Sequence, residues 1–420
     1  MAHGQYGGSN VGTCGTASPL SRELSQGSGT RSFEVIPSMC VTERYDTNVF
    51  YRRATPGLER DDFVTHVNPM VRINHNGEYA TGSLRMSGFS ETYIKHPSLN
   101  YLGTFDTLSL DLDKSIKRVL PNATLKITDN FGYTPLPPGF VNPAAGTSPS
   151  APGNIENAYA QGVLGFRTNN VTNNATVSTS YATTASTSLN ASYSYAFIRF
   201  GSPPSGQGLN LFNTTSQTGT VGGTAQLSEA DILSVKYAHV QTESTPSSTS
   251  SSSGPTTIFF KIDNATIGWS RILTPYLRSE VGGGGILINS TQTTYAANAA
   301  LLLNYSINTA TISYAHTAFP TFFGGGVLIA DTFALSAIQK IDPQWQLAET
   351  ASYVHSSSAS GLNPLTFDAF VLGGDIQYWM TSIWSTGLSY SYSKYNQENR
   401  SIHTDFVRQV VMLSIKATWE

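Results

Sequence analysis

The residues able to do chemistry are scattered along this chain. Its eight histidines are His3, His66, His75, His96, His239, His316, His355 and His403, and they stand one at a time, with no HExxH or other metal-ligand spacing. No GxSxG is present, and serine is so common that a serine near a histidine carries little information. The glycine run Gly282–Gly285 has no Lys-Ser/Thr after it and opens no helical pattern, so it is no phosphate cradle and suits a bend or a place where bulk is unwelcome. With no CxxCH the chain carries no covalent haem of its own. The expectation is a protein that is not an enzyme, with no cofactor and no metal. His239, His316 and His355 are expected at a rim, and the Asn-x-Ser/Thr sequons, as at Asn122, Asn174, Asn190, Asn213 and Asn264, follow from composition.

What remains is a set of charges at alternating positions inside apolar runs. Arg44, Arg72, Arg85, Glu91, Lys126, Lys236, Arg278, Glu280, Asp375, Arg408 and Lys416, with His66 among them, share the polar parity of their segments. If that parity faces a water-filled interior, these residues line a pore. The basic members outnumber the acidic ones although the whole chain carries a formal charge of −3, which predicts a weak preference for anions. Arg44, Arg72 and Arg85, on consecutive strands, would form the strongest patch if their heights match.

The elements that must position them are strands. In "TGLSYSYSKYN", Thr386 to Asn396, Tyr390 and Tyr392 take one parity while Ser389, Ser391 and Ser393 take the other. Tyr, Ala, Gly, Leu and Trp recur on one face and Ser, Thr and Asn on the other, the inverse of a soluble sandwich. From Phe33 onward, alternating runs are joined in pairs by tight breaks, for example at Asn76-Gly77, Asp342-Pro343-Gln344 and Thr381-Ser382, and the pairs are separated by longer inserts such as "TESTPSSTSSSSGPT". One leading strand, a series of hairpins and one closing strand total roughly eighteen, within a range of about 16–18. The predicted fold is all-β, a transmembrane antiparallel up-and-down barrel with short periplasmic turns and longer extracellular loops. All five tryptophans, Trp269, Trp345, Trp379, Trp384 and Trp419, fall beside the tight turns, as an interfacial girdle would require.

Composition agrees. Only 12% of residues are charged and 39% are hydrophobic, with 37 glycines and 21 tyrosines, and the cations are not clustered with aromatics, so no nucleic-acid partner is expected. No apolar run is long enough for a spanning helix, so any membrane crossing must use strands. The N-terminus shows no charged start followed by an apolar stretch, and the chain is read as mature or lacking its start. Residues 1–31 are expected to form a periplasmic tail or a plug segment, and residues 32–420 the barrel. Cys14 and Cys40, the only cysteines, are either one disulfide of an oxidising compartment or two separate thiols.

"VTERYDTNVFYRR", Val41 to Arg53, followed by "DDFVTHVNPMVRINH", Asp61 to His75, resembles the opening of the β-barrel porin 2 family of bacterial outer-membrane proteins. In that family a first strand ends in a Tyr-Asp-x-Asn-aromatic turn. The resemblance is specific over the first 75 or so residues and otherwise extends as hairpin rhythm. It implies an outer-membrane location and, since some relatives accompany exopolysaccharide loci, a link to a secreted polymer. One departure is that Trp419 is followed by Glu420, where such barrels end in Phe or Trp. The function expected is a passive porin for a small polar solute or a polysaccharide, bounded by outer-membrane lipid and either monomeric or a homo-oligomer. A structural sheath for a surface or electron-transfer assembly and a Ser/Thr-rich adhesin are the alternatives.

Overall fold

The computed structural model describes residues 32–50, 57, 59–134, 169–201, 212–246, 257–306, 308–321, 326–361, 365–399 and 402–419. It contains strands β1 (Phe33–Asp46), β2 (Asp62–Asn76), β3 (Thr81–Tyr93), β4 (Tyr101–Asp111), β5 (Ala123–Thr134) and β6 (Asn170–Ala182). These continue as β7 (Thr187–Phe200), β8 (Phe212–Gln226), β9 (Asp231–Pro246), β10 (Ile258–Thr274), β11 (Leu277–Ile288) and β12 (Gln292–Tyr305). The last six are β13 (Asn308–Thr321), β14 (Gly326–Lys340), β15 (Trp345–Gly361), β16 (Leu365–Trp379), β17 (Trp384–Asn399) and β18 (Ile402–Thr418). A single turn of helix, α1 (Asp113–Ile116), and a 3-10 turn, Pro97–Leu99, interrupt the series.

Every strand pairs antiparallel with its sequence neighbours, and β1 also pairs with β18, so the 18-stranded sheet closes on itself. Closure leaves no sheet edge with unpaired backbone groups. At a strand spacing of about 4.8 Å and a tilt of about 40°, eighteen strands enclose a backbone cylinder of roughly 18 Å radius.

The alternation expected from the sequence is the alternation observed. Along β1, Phe33, Val35, Met39, Val41 and Tyr45 are exposed on the outer face, while Ser38, Cys40, Thr42, Arg44 and Asp46 are buried on the inner one. In β17 the outward positions include Leu388, Tyr390 and Tyr392, and the inward ones Ser389, Ser391 and Ser393, which answers to the Tyr/Ser pattern of that run. At Gly284, on the interior face of β11, an added Cβ would stand 1.9 Å from the Ala265 carbonyl oxygen of β10, so only glycine permits this backbone approach.

Turn chemistry refines the expectations. Asn76-Gly77 marks a turn, but Gly77 N–H donates to the Ala80 carbonyl at 2.9 Å and Asn76 pairs with Thr81, so the hairpin loop spans Gly77 to Ala80 instead of two residues. The β4–β5 connection is longer than the other tight breaks because α1 occupies it. Lys114 Nζ donates to Asn76 Oδ1 at 2.6 Å and Arg118 pairs with Glu78 at 2.8 Å, which docks this segment on the β2–β3 turn. At the opposite end, β11 and β12 are joined by a tight turn through Asn289 and Ser290, both at positive φ (51° and 59°).

Candidate pore and its charge lattice

The strand registers settle which face each charged residue takes. Cys40 lies opposite Lys416 on β18 and Asn68 on β2, Lys416 opposite Ser385, Ser389 opposite Asp375, and Thr42 opposite His66, which in turn faces Glu91. Elsewhere Arg72 faces Arg85, Asp111 faces Lys126, Lys236 faces Thr266, and Glu280 faces Ser270. Arg44, His66, Arg72, Arg85, Glu91, Lys126, Lys236, Arg278, Glu280, Asp375, Arg408 and Lys416 thus share the interior parity.

They do not act alike. Near the long-loop end, at the β18–β1–β2–β3 seam, Arg44 forms a two-pronged pair with Glu91 through Nη1 and Nη2, at 3.0 and 2.9 Å. The Tyr93 hydroxyl also donates to Glu91, and His66 Nδ1 stands 3.6 Å from it. Arg408 grips Asp46 at 2.7 Å from Nη2 to Oδ2 and at 3.1 Å from Nε to each carboxylate oxygen. Two guanidinium groups and two carboxylates therefore neutralise one another where the barrel closes. Arg44 lies apart from Arg72 and Arg85, so the expected patch of three arginines on consecutive strands does not form.

The basic cluster that does form lies lower on the wall. Arg72 and Arg85 stand directly opposite one another on β2 and β3, and both act electrostatically on Lys416 of β18. Like charges placed opposite each other are unfavourable in a sheet. Neither Arg72 nor Arg85 has an acidic partner among the described residues. Arg278, by contrast, pairs with Glu280 at 3.0 Å and donates to Ser270 Oγ at 2.6 Å.

The long-loop mouth is held by its own contacts. Asp62 accepts from the backbone N–H of Lys95 at 2.9 Å and of His96 at 3.0 Å, and His96 Nδ1 lies 2.9 Å from it. The Lys95 ammonium, 2.8 Å away, holds the Asp61 carboxyl below the usual carboxylate range. Val49, Val64 and Tyr93, joined by Phe50, Leu99 and Tyr101, pack an apolar cluster beneath these loops.

On the outer face, Trp269, Trp345, Trp384 and Trp419 are exposed at the short-turn end. Trp379 corrects the expected girdle: it shares the interior parity of Asp375 and Gln377 and is 2% exposed. The outward place on β16 belongs to its neighbour Tyr378, whose ring lies 4.6 Å from that of Trp345. Toward the other end, Tyr314, Phe333, Tyr353 and Phe370 form a continuous cross-strand row of rings.

The same outer face carries a repeated unit the sequence reading missed, twice at this row and once on β9–β10. Asp263, Asp331 and Asp368 each use Oδ1 to accept both a tyrosine hydroxyl and a histidine Nδ1, from Tyr237 and His239, Tyr314 and His316, and Tyr353 and His355. The distances run from 2.6 to 2.9 Å, and each aspartate is the direct cross-strand partner of its histidine. The signal was present as the recurring Tyr-x-His triplets, but their partners lie on other strands.

Cys40, buried on the interior face of β1, is disulfide-bonded, and Cys14, the only other cysteine, lies outside the described residues.

No protein-family model matches the chain, and no curated protein does. Among solved structures it is similar to OpdQ of Pseudomonas aeruginosa, at 10% identity and a TM-score of 0.44, over 93% of this chain and 99% of that one. OccK3 (OpdO) of Pseudomonas aeruginosa gives 11% and 0.41 over 92% and 96%, and the siderophore receptor PirA of the same organism 9% and 0.44 over 92% and 80%. Likeness this distant leaves the function of the chain to its own geometry.

Proposed function

We propose that this chain is a passive porin of a bacterial outer membrane, which lets a small polar solute or a secreted polymer cross without catalysis and with a weak preference for anions. The observation that carries the reading is the inverted barrel: a continuous apolar outer face with exposed Leu189, Val235, Ile267, Leu301, Ile312 and Leu413, around an interior wall of serine, threonine, asparagine and charge. A soluble adhesin would place that much apolar surface against water. Lipid-facing strands need it. In this reading the short turns face the periplasm and the long loops the outside.

Liposome swelling tests the function. Vesicles carrying the protein should swell in small neutral sugars, at rates that fall as the sugar grows, and vesicles that do not swell in any of them would contradict it. Orientation is checked by labelling intact cells with an impermeant thiol reagent. Ser98→Cys, in the 3-10 turn, should react and Gln344→Cys should not, and the reverse pattern would invert the topology. Ser247 to Ser253, the most polar insert, lies outside the described residues.

The anion preference rests on Arg72 and Arg85. A charge acting at 10 Å through a water-like medium contributes about 0.4 kcal/mol, cut further by a Debye length of about 10 Å at 0.1 M salt. Replacing Arg72 and Arg85 together by serine should therefore lower the anion-to-cation permeability ratio by roughly twofold in a salt-gradient reversal-potential measurement. A ratio that does not move would remove these residues from the conducting path.

A further inference from the structure

Two phenylalanines on the inner wall lean over glycines. Phe89 on β3 is the direct cross-strand partner of Gly103 on β4, and Phe105 on β4 that of Gly132 on β5. A Cβ added at Gly103 would collide with the Phe89 ring, and one at Gly132 would stand 2.9 Å from Phe105 Cε1, so each ring occupies space that any larger residue would fill. The two rings lap one another, with 5.2 Å between centroids and 9° between planes. Phe89 is buried, with the His66 ring 5.6 Å from it on β2. Phe105 is only half-buried, so it carries the free apolar surface of the pair.

Beside this ring stand two arginines with no acidic partner among the described residues. Along the inner face, Arg85, Ser87 and Phe89 of β3 lie opposite Thr107, Phe105 and Gly103 of β4, and Arg85 also lies opposite Arg72 of β2. Phe105 is therefore a diagonal neighbour of Arg85, about 7–8 Å away. The exposed Thr107 fills the corner between them and adds a hydroxyl. Glu34, the carboxylate diagonal to Arg72 on β1, accepts from the Asn74 amide at 3.0 Å and pairs with neither arginine. Two guanidinium groups opposed in a sheet repel, and no carboxylate among the described residues offsets it.

We propose that this wall binds an organic acid built on a six-membered ring, with the carboxylate between Arg72 and Arg85 and the ring face on Phe105. Each half of the site calls for one half of such a ligand. A carboxylate between two guanidinium groups accepts charge-assisted hydrogen bonds from both and offsets their mutual repulsion. The flat side of a benzene ring, or the C–H face of a pyranose, covers the Phe105 ring and takes apolar area out of water. A small anion such as acetate leaves the ring bare, and a neutral sugar leaves the two cations opposed. In the porin reading, ring-bearing acids are then the favoured class among the anions that cross. Only that consequence rests on the porin reading, since the binding itself needs no conduction.

Equilibrium dialysis of the full-length, detergent-solubilised protein tests it, with benzoate and glucuronate as ring acids, acetate as the acid alone and glucose as the ring alone. At least one ring acid should bind about tenfold more tightly than acetate, and glucose should not bind. The tighter of the two tells whether the site takes aromatic acids or acidic sugars. Phe105→Ala should bring that acid down to the affinity of acetate, as should Phe105→Leu, which keeps apolar volume but not the flat face. Phe105→Tyr should retain it, and Arg72→Ser with Arg85→Ser should abolish binding of every acid. Equal affinities for acetate and both ring acids would overturn the proposal, and so would a preference that survives both Phe105→Ala and Phe105→Leu. In a planar bilayer the preferred acid should reduce the chloride current of the wild type and not that of the double arginine variant. Protein that binds the acid but carries no current would end the porin reading and leave the site standing, whereas protein that conducts without discriminating among the probes would end the site and leave the porin.

Discussion

Glu91→Ala is expected to destabilise the barrel by about 3–5 kcal/mol, because it leaves the Arg44 guanidinium buried without its two-pronged partner. The loss should exceed that of an ordinary interior substitution, since the Tyr93 hydroxyl loses the same acceptor. Urea unfolding in lipid, followed by heat-modifiable gel mobility, reads the effect. The double variant Arg44→Met/Glu91→Leu should recover most of the loss, because two buried charges are then replaced by apolar groups of similar volume. If the double variant is as unstable as the single one, the pair is not the source of the stability. Cutting this pair loosens β3 from β1 across β2, while the β1–β18 seam keeps its own Arg408–Asp46 pair.

Leu301→Arg should cost about 2–4 kcal/mol, the penalty for a cation on the lipid face near the middle of a bilayer. Leu301 points outward and is 45% exposed. Asn298, three positions away on the same strand, points inward, and Asn298→Arg should change stability by less than about 1 kcal/mol. The comparison is made in vesicles, by the same unfolding measurement. Equal costs would mean that the β12 parity is not what separates lipid from lumen. Equal and negligible costs would mean that the outer face is not in lipid at all.

Most of the architecture was legible in the sequence because a strand writes its two faces into alternate residues. Eighteen strands follow from counting such runs, and even the irregular "TSQTGTVGGTAQ" lies within β8. The turns were placed but not typed: Asn76-Gly77 locates a hairpin whose loop the backbone closes at Ala80. Charge pairing was not legible. Arg44 and Arg72 look equivalent along the chain, and only the stagger between strands sends one to Glu91 and the other to Arg85. Trp379 shows the same limit on a smaller scale, since Tyr378 and Trp379 both suit an interface and a shift of one residue exchanges lipid for lumen. The Tyr-x-His triplets repeat visibly, yet what they do depends on aspartates that only the registers bring opposite them.

The central claim, that this closed barrel is a water-filled passage through a membrane, is tested most directly by single-channel recording of the purified full-length protein in a planar bilayer. Discrete, ohmic conductance steps are expected, of a size that scales with the bulk salt conductivity, with a reversal potential displaced toward the anion in a salt gradient. Folded, membrane-inserted protein that produces no steps with or without residues 1–31 would contradict it.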